Sequence, residues 1–325
     1  MTDTLQKFMF ENSPVRGELV ELSEAWRHVL DRRSYPAPVT EMLGEMMAAA
    51  ALLSANLKFN GTIILQIHGD GPVKLLVVEC DAALQLRATA KLGENSTIAD
   101  DAGLQQLVNL NGQGRFAITL DPADKLPGQQ PYQGIVALDG DSVSTVIENY
   151  MMRSEQLDTK LWLAADASVA RGLLLQKLPE EGGKASSEED SDTWNRTVTL
   201  ASTVGDEELL STDIMTLLRR LYWEEQVRVF EPRHPHFRCT CTREKVGNML
   251  KMLGQVEVDE ALADLGKLEI NCDFCGQDYA FDKVDCTQLF AAEILADAVQ
   301  APPANAASGL TRQAISFWWN LVRWP

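Results

Sequence analysis

Four cysteines stand in two close pairs, Cys239-Thr240-Cys241 and Cys272-Asp273-Phe274-Cys275, with thirty residues between the inner two. Each pair can present two sulfurs to one ion. Two pairs close a tetrahedral shell with no position left for water or substrate, so such a site is structural or redox-active rather than hydrolytic. Gly276 follows directly, and a residue free to take positive φ lets backbone N–H groups turn toward the sulfurs. The spacing predicts a closed zinc site, one Zn2+ per chain, on Cys239, Cys241, Cys272 and Cys275. His234 and His236 are the substitute ligands to weigh against it; their simpler reading is a Pro-flanked, exposed loop that ligates nothing. A thioredoxin-type exchange motif at 272–275 lacks the strand-then-helix context and the intervening Pro. Cys80 and Cys286 read as small buried apolar side chains.

A chain of 325 residues with 45% hydrophobic content can bury an ordinary core and fits about two domains. Residues 1–13 lack the basic start and apolar run of a signal peptide, so the protein is expected to stay in the cytoplasm. There six cysteines point to metal or redox chemistry rather than to a disulfide framework. The most apolar stretch, Met42 to Leu57, is bounded by Glu41, Glu45 and Lys58 and is too short for a bilayer, so a buried helix is expected. A formal net charge of −18 repels phosphate backbones. The cysteine region is no basic island either, since 237–285 carries six Lys or Arg against ten Asp or Glu. Nucleic acid is therefore not an expected partner.

The pattern reads as helical from about Val20 to Phe59, with a helix opening at Pro38. Strands follow at Thr62–Ile67, Val73–Val78 and Leu84–Thr89, the first two joined by the turn signal Gly69-Asp70-Gly71. A helix near Asp100–Asn109, strands at Arg115–Leu120 and Gly134–Leu138, a helix at Ser142–Gln156 and strands at Lys160–Ala165 and Gly172–Leu178 complete the run. Short turns between strands imply an α+β domain with a largely antiparallel sheet. Glu180 to Asp192, with six acidic residues and almost nothing apolar, reads as a flexible linker or exposed loop. Beyond it Leu209, Leu210, Ile214, Leu217, Leu218 and Leu221 form a helical stripe. Helices are expected at Arg243–Leu253 and Val258–Leu265 in a module whose aliphatic content is thin for an autonomous fold. The expected division is 1–179, an N-terminal α+β domain; 180–236, an acidic loop and helical linker; 237–299, a small zinc-binding domain; and 300–325, a Trp-rich tail.

Thiolate ligation links oxidation to folding. Thiolates are what peroxide attacks, and closely spaced ligands are positioned to form disulfides. Structural zinc contributes on the order of 10 kcal/mol to small zinc modules, about the whole stability of a typical domain. Losing the ion should unfold the module.

The chain resembles the bacterial 33 kDa redox-regulated heat-shock chaperones over about residues 7–288. The likeness is carried by Phe10-Glu11-Asn12 with Val15-Arg16-Gly17-Glu18-Leu19, by Leu57-Lys58-Phe59 leading to Gly69-Asp70-Gly71-Pro72, and by Tyr132-Gln133-Gly134 through Tyr150-Met151-Met152-Arg153-Ser154-Glu155-Gln156-Leu157. It continues in Leu221-Tyr222-Trp223-Glu224-Glu225, Phe237-Arg238-Cys239-Thr240-Cys241-Thr242-Arg243-Glu244 and Cys272-Asp273-Phe274-Cys275-Gly276. The resemblance implies zinc ligation by the four cysteines. On oxidation it implies disulfides Cys239–Cys241 and Cys272–Cys275, zinc release, a destabilised linker, and conversion of an inactive monomer into a dimeric, ATP-independent holdase for unfolding client proteins. No catalytic residue is required, so the protein is expected not to be an enzyme. The chain also lacks a phosphate loop: Gly182-Gly183-Lys184 is followed by Ala185 and has no upstream Gly at the motif spacing. Two readings compete with it: a constitutive zinc-stapled binding module, and a thiol oxidoreductase using Cys272 and Cys275. The tail after about Pro303 departs from the family pattern. It reads as a loose extension or as a short amphipathic helix, with Ile315, Trp318, Trp319 and Val322 on one face, for the chaperone's own apolar surface or for a membrane.

Overall fold

The computed structural model describes residues 2–11, 13–56, 60–125, 129–179 and 188–299. The chain divides into two compact units, the first running to Arg238 and the second beginning at Cys239. The Trp-rich tail, the first part of the acidic stretch at 180–187 and the Leu57-Lys58-Phe59 segment lie outside the described residues.

The first unit opens with β1 (Thr4–Phe10) and β2 (Val15–Leu22), then α1 (Glu24–Leu30) and α2 (Ala37–Ser54). There follow β3 (Gly61–His68), β4 (Val73–Asp81), β5 (Gln85–Leu92), α3 (Leu104–Val108), β6 (Arg115–Pro122), β7 (Tyr132–Ala137) and α4 (Val143–Tyr150), the last running into a π turn at Met151–Glu155. β8 (Thr159–Ala165), β9 (Ala170–Lys177), α5 (Glu188–Ala201), α6 (Asp206–Ser211), α7 (Ile214–Leu221), β10 (Val227–Val229) and β11 (His236–Phe237) complete it. The second unit comprises α8 (Arg243–Leu253), α9 (Gln255–Leu265), β12 (Leu268–Asn271), β13 (Asp278–Phe281) and α10 (Lys283–Val299).

The strands of the first unit form two sheets, of order β10-β1-β2-β9-β8 and β11-β5-β4-β3-β6-β7. Every pairing is antiparallel except that of β11 with β5. The fold class is therefore α+β, as expected, but with two antiparallel sheets rather than one. Helix α2 packs against strands of both sheets, which is why it is apolar all round and buried along most of its length. At Gly44 it comes so close to β8 that an added Cβ would lie 2.4 Å from the Ala165 Cβ. Trp26 on α1 is fully buried and donates its indole N–H to the Asp166 carbonyl at 2.8 Å.

The opening of the chain corrects the helical reading from Val20 to Phe59. Val20 lies inside β2, and the first helix begins at Glu24. Every residue of β2 is buried, Arg16, Glu18 and Glu21 included. A strand covered on both faces shows no polar-apolar alternation for a reader to find. Its charges are handled internally: Glu18 lies 3.6 Å from Lys7, and burial pushes its carboxyl above the ordinary glutamate range. Asp3 supplies the start of α1 that no local residue provides. Its two carboxylate oxygens accept from the N–H groups of Ser23, Glu24 and Ala25 at 2.6, 2.8 and 2.7 Å, satisfying donors that a helix start leaves free.

Three further differences are local. The helix expected at Asp100–Asn109 is only the five residues of α3, and that expected at Ser142–Gln156 changes to π geometry after Tyr150 and stops at Gln156, which takes φ +55°. Glu188 to Asp192, read as loop, open α5. Acidic residues suit the first turn of a helix, where the dipole is positive.

Helices α5 to α7 cover one face of the first sheet. Leu209, Ile214, Leu217, Leu218, Leu221 and Tyr222 pack with Phe8, Phe10, Val15, Leu19, Leu173 and Leu175. Within that layer Gly17 pairs in register with Phe8, whose ring crosses over it; an added Cβ would fall 2.0 Å from Phe8 Cζ. Gly17→Ala should lower the unfolding free energy by about 1–3 kcal/mol through overpacking, read from urea denaturation. Glu45 on α2 gives a pH prediction. Burial, with the Asp206 and Glu41 carboxylates nearby, pushes its carboxyl up to about 8. The folded state then holds a proton that the unfolded chain has released, so Glu45 withdraws stability as pH rises from the ordinary glutamate range toward 8. Glu45→Gln should flatten that decline, measured as unfolding free energy against pH.

Candidate metal centre

The two cysteine pairs reach one place by different local devices. Cys239 and Cys241 sit immediately before α8, whose N-cap Thr242 accepts from the Lys245 N–H at 3.2 Å. Cys272 and Cys275 occupy the turn between the paired strands β12 and β13. That turn is closed by Cys272 N–H donating to the Gln277 carbonyl at 2.9 Å and Gly276 N–H donating to the Cys272 carbonyl at 2.8 Å. Gly276 takes φ +69°, the left-handed geometry that only glycine adopts without penalty. Asn271 Nδ2 braces the turn by donating to the Gly276 carbonyl at 2.9 Å and to Asp278 Oδ1 at 2.8 Å.

The four Sγ atoms all lie within 4.8 Å of one another. Cys239 and Cys272 approach to 3.7 Å, and Cys241 and Cys275 to 3.3 Å. Four sulfurs at zinc–thiolate bond length would stand about 3.8 Å apart around a tetrahedral ion. The donor set therefore fits a closed tetrathiolate shell, and the four cysteines could hold a metal ion. Electrostatics points the same way. Burial and then the neighbouring sulfurs push the Cys275 thiol up, and burial also raises Cys272. Thiolates crowded this closely repel one another, and a cation among them would offset that repulsion. Donors already aim at the sulfurs: the N–H groups of Phe274 and Cys275 toward Cys272, and that of Gln277 toward Cys275. The Tyr279 hydroxyl donates to Cys241 Sγ at 3.2 Å.

All four sequence-predicted cysteines are brought together. His234 and His236 belong to the first unit and are not in the cluster; His234 Nδ1 lies 3.0 Å from the Asp3 carbonyl oxygen, and His236 lies in β11 rather than in a loop. Cys80 and Cys286 are buried; burial pushes the Cys80 thiol up to about 12, keeping it inert. Sequence reasoning missed Tyr279, because an aromatic residue on a strand reads as core. It also missed Arg243, which stacks over the Phe281 ring at 4.2 Å, donates to the Ala280 carbonyl at 2.6 Å and pairs with Asp285 at 2.8 Å. The core beneath is small: Leu250, Val258, Leu262, Leu268, Phe281, Cys286 and Phe290. Among the described residues no helix is long and apolar enough to cross a membrane.

A family model described as Hsp33 protein matches residues 3–282. The chain belongs to the Hsp33 family. It is 50% identical over 299 residues to the 33 kDa chaperonin of Chromobacterium violaceum, covering 92% of this chain and 97% of that one. It is 47% identical over 296 residues to the 33 kDa chaperonin of Methylobacillus flagellatus, covering 91% and 97%. The solved structure of the 33 kDa chaperonin (heat shock protein 33 homolog) of Thermotoga maritima superposes with a TM-score of 0.72 at 20% identity, over 90% of this chain and 99% of that chain. That likeness shows a shared fold. Within the Hsp33 frame the cysteine cluster is compatible with zinc binding and with redox-sensitive disulfides, and a chaperone role in stress follows from the family. Arg243→Met should cost the second unit about 1–2 kcal/mol by removing its ring contact and charge-assisted bonds, seen calorimetrically as a lower melting midpoint with cysteine accessibility to thiol reagents unchanged before melting.

Proposed function

We propose that this chain is a redox-regulated, ATP-independent holdase of the cytoplasm, inactive when reduced and zinc-bound, and active as an oxidised homodimer that binds unfolding client proteins. The observation that carries the reading is the four-sulfur cluster set above a core of seven buried residues. Such a module depends on its ligands for stability. Zinc, when bound by Cys239, Cys241, Cys272 and Cys275, would supply the positive charge that lets four thiolates coexist and would tie the segment before α8 to the β12–β13 turn.

The chain's own residues perform the switch. A thiolate of one pair attacks peroxide and becomes a sulfenic acid, displacing water once protonated; the neighbouring thiolate then displaces a second water and closes an S–S bond. Each pair of thiolates gives up two electrons, two protons are taken from solvent, and one peroxide becomes two waters. The resemblance supports pairing Cys239 with Cys241 and Cys272 with Cys275, although the shortest sulfur approaches in the reduced arrangement, 239 to 272 and 241 to 275, run between the pairs. Sulfurs held in disulfides no longer serve as ligands, and the second unit loses the tie its small core cannot replace. The family resemblance implies that the helical linker is then destabilised. The face that α5 to α7 cover, with Phe8, Phe10, Leu19, Leu173 and Leu175, is the apolar surface available to a client once those helices leave.

The deciding experiment is aggregation of a heat-denatured client with the reduced metal-loaded protein and with peroxide-treated protein at mildly raised temperature. Protection by the oxidised form alone, at near-stoichiometric ratio and without nucleotide, is expected; equal protection by both forms sinks the redox switch. Cys→Ser at any one of the four positions should release the metal and loosen the second unit even under reducing conditions, followed by metal content and by hydrogen exchange across α8–α10. Retention of one metal per chain in each variant contradicts the shell. Peptide mass spectrometry of the oxidised protein should find 239–241 and 272–275 disulfides, and cross-linked pairs would overturn the proposed pairing.

A further inference from the structure

Two charged side chains lie on the covered face of the first sheet among apolar neighbours. Glu21 on β2 and Arg171 on β9 are register partners, 8% and 7% exposed. Their side chains form an ion pair, Arg171 Nη2 to Glu21 Oε2 at 2.6 Å. The other arm of the guanidinium reaches off the sheet. Nη1 donates to the Leu209 carbonyl at 3.1 Å and also to the Thr212 carbonyl.

Those two carbonyls are where α6 ends: Leu209 is in its last turn and Thr212 is its C-cap. The final carbonyls of a helix have no intrahelical partner and carry the negative end of its dipole, so a buried cation there both satisfies and attracts them. One residue further on, Asp213 caps α7 by accepting from the Thr216 N–H at 2.9 Å. That bond chiefly, with a smaller contribution from the Arg171 charge, holds the Asp213 carboxyl below its ordinary range. The junction between α6 and α7 is thus held to the sheet by a directional polar tie. Elsewhere the same helices are held by side-chain packing.

A buried ion pair is a particular kind of tie. Its attraction is largely offset by the hydration both charges give up, so the intact pair adds little net stability, whereas removing one partner strands an uncompensated charge and is strongly destabilising. When covering helices leave, both charges return to water and recover that hydration. An apolar pair would lose burial instead. We propose that Arg171 and Glu21 form the latch that sets how readily α6 and α7 leave the first sheet, fixing one closed register while keeping the barrier to release low. This rests on the reading that uncovering that face produces the active state.

Hydrogen exchange on the reduced, metal-loaded full chain tests it. In Arg171→Met, amides of α6 and α7 should exchange about tenfold faster or more, through more frequent local opening, while β3, β4 and β6 keep their protection. Arg171→Lys, which keeps the charge but loses the planar fork, should fall between. The double variant Glu21→Leu/Arg171→Met should exchange at α6 and α7 no faster than the parent, and after peroxide treatment should open more slowly. Unchanged exchange in Arg171→Met overturns the latch. Should that single variant lose protection throughout the unit, the double variant decides: faster exchange than the parent at α6 and α7 overturns the proposal, and parent-like or slower exchange supports it. Client aggregation separates the two readings. Faster local exchange with client protection in reduced Arg171→Met supports both; faster exchange without protection leaves the latch standing and removes this face as the holdase surface.

Discussion

Four cysteine sulfurs within 4.8 Å of one another would repel as thiolates unless a cation lay among them, and that constraint governs the second unit. Among the described residues its hydrophobic core is a handful of side chains from α8, α9, α10 and the β12–β13 ribbon, and a two-stranded ribbon has little stability alone. Holding the sulfurs together therefore substitutes for apolar burial. The local chemistry around them is built for that purpose: a glycine at positive φ, backbone N–H groups turned toward sulfur, and a tyrosine hydroxyl on Cys241. A unit held together by oxidisable ligands would inherit their redox sensitivity.

The first unit works by a different balance. Its central helix α2 is buried against both sheets and contributes the dense apolar interior, while α5 to α7 lie over the outer face of the first sheet in a separate cluster. Two apolar layers thus share one sheet. The inner layer includes Met46, Met47 and Leu52 at 0% exposure; the outer one includes charged Glu21 and Arg171 and several side chains only partly buried, such as Trp194, Leu210 and Met215. Elements held by fewer fully buried contacts open at lower free energy than the core they cover.

The site was more legible than the fold around it, for physical reasons. Cysteine spacing reports ligand geometry directly, since two cysteines with one or two residues between them need only a tight turn to face one ion, and Gly276 announced that turn. The β3–β4–β5 run was legible because half-buried antiparallel strands alternate in sequence and Gly69-Asp70-Gly71 marks a bend. β1 and β2 were not. Burial on both faces erased the alternation of β2, whose Arg16 and Glu18 lie inside the fold. Two-residue β11 and three-residue β10 owe their conformation to the strands they pair with, so no local signal existed. Arg171 falls one residue before the expected strand Gly172–Leu178 and carried no local signal; its partners lie on β2, 150 residues earlier, and at the end of α6, about forty residues later.

The sheet order β10-β1-β2-β9-β8 has a consequence for synthesis. Its two halves are separated in the chain by β3 to β7 of the second sheet, so β2 emerges from the ribosome long before β9 exists to pair with it. Contacts of such sequence separation form slowly, and a domain made N-terminus first must keep one edge of β2 unpaired until residue 177 has appeared. The outer face waits longer still, because α7 ends at Leu221 and β10 at Val229. Every newly made molecule therefore passes through an interval in which its own apolar sheet is uncovered, and during that interval a chain of this family is itself the kind of unfinished polypeptide that chaperones bind.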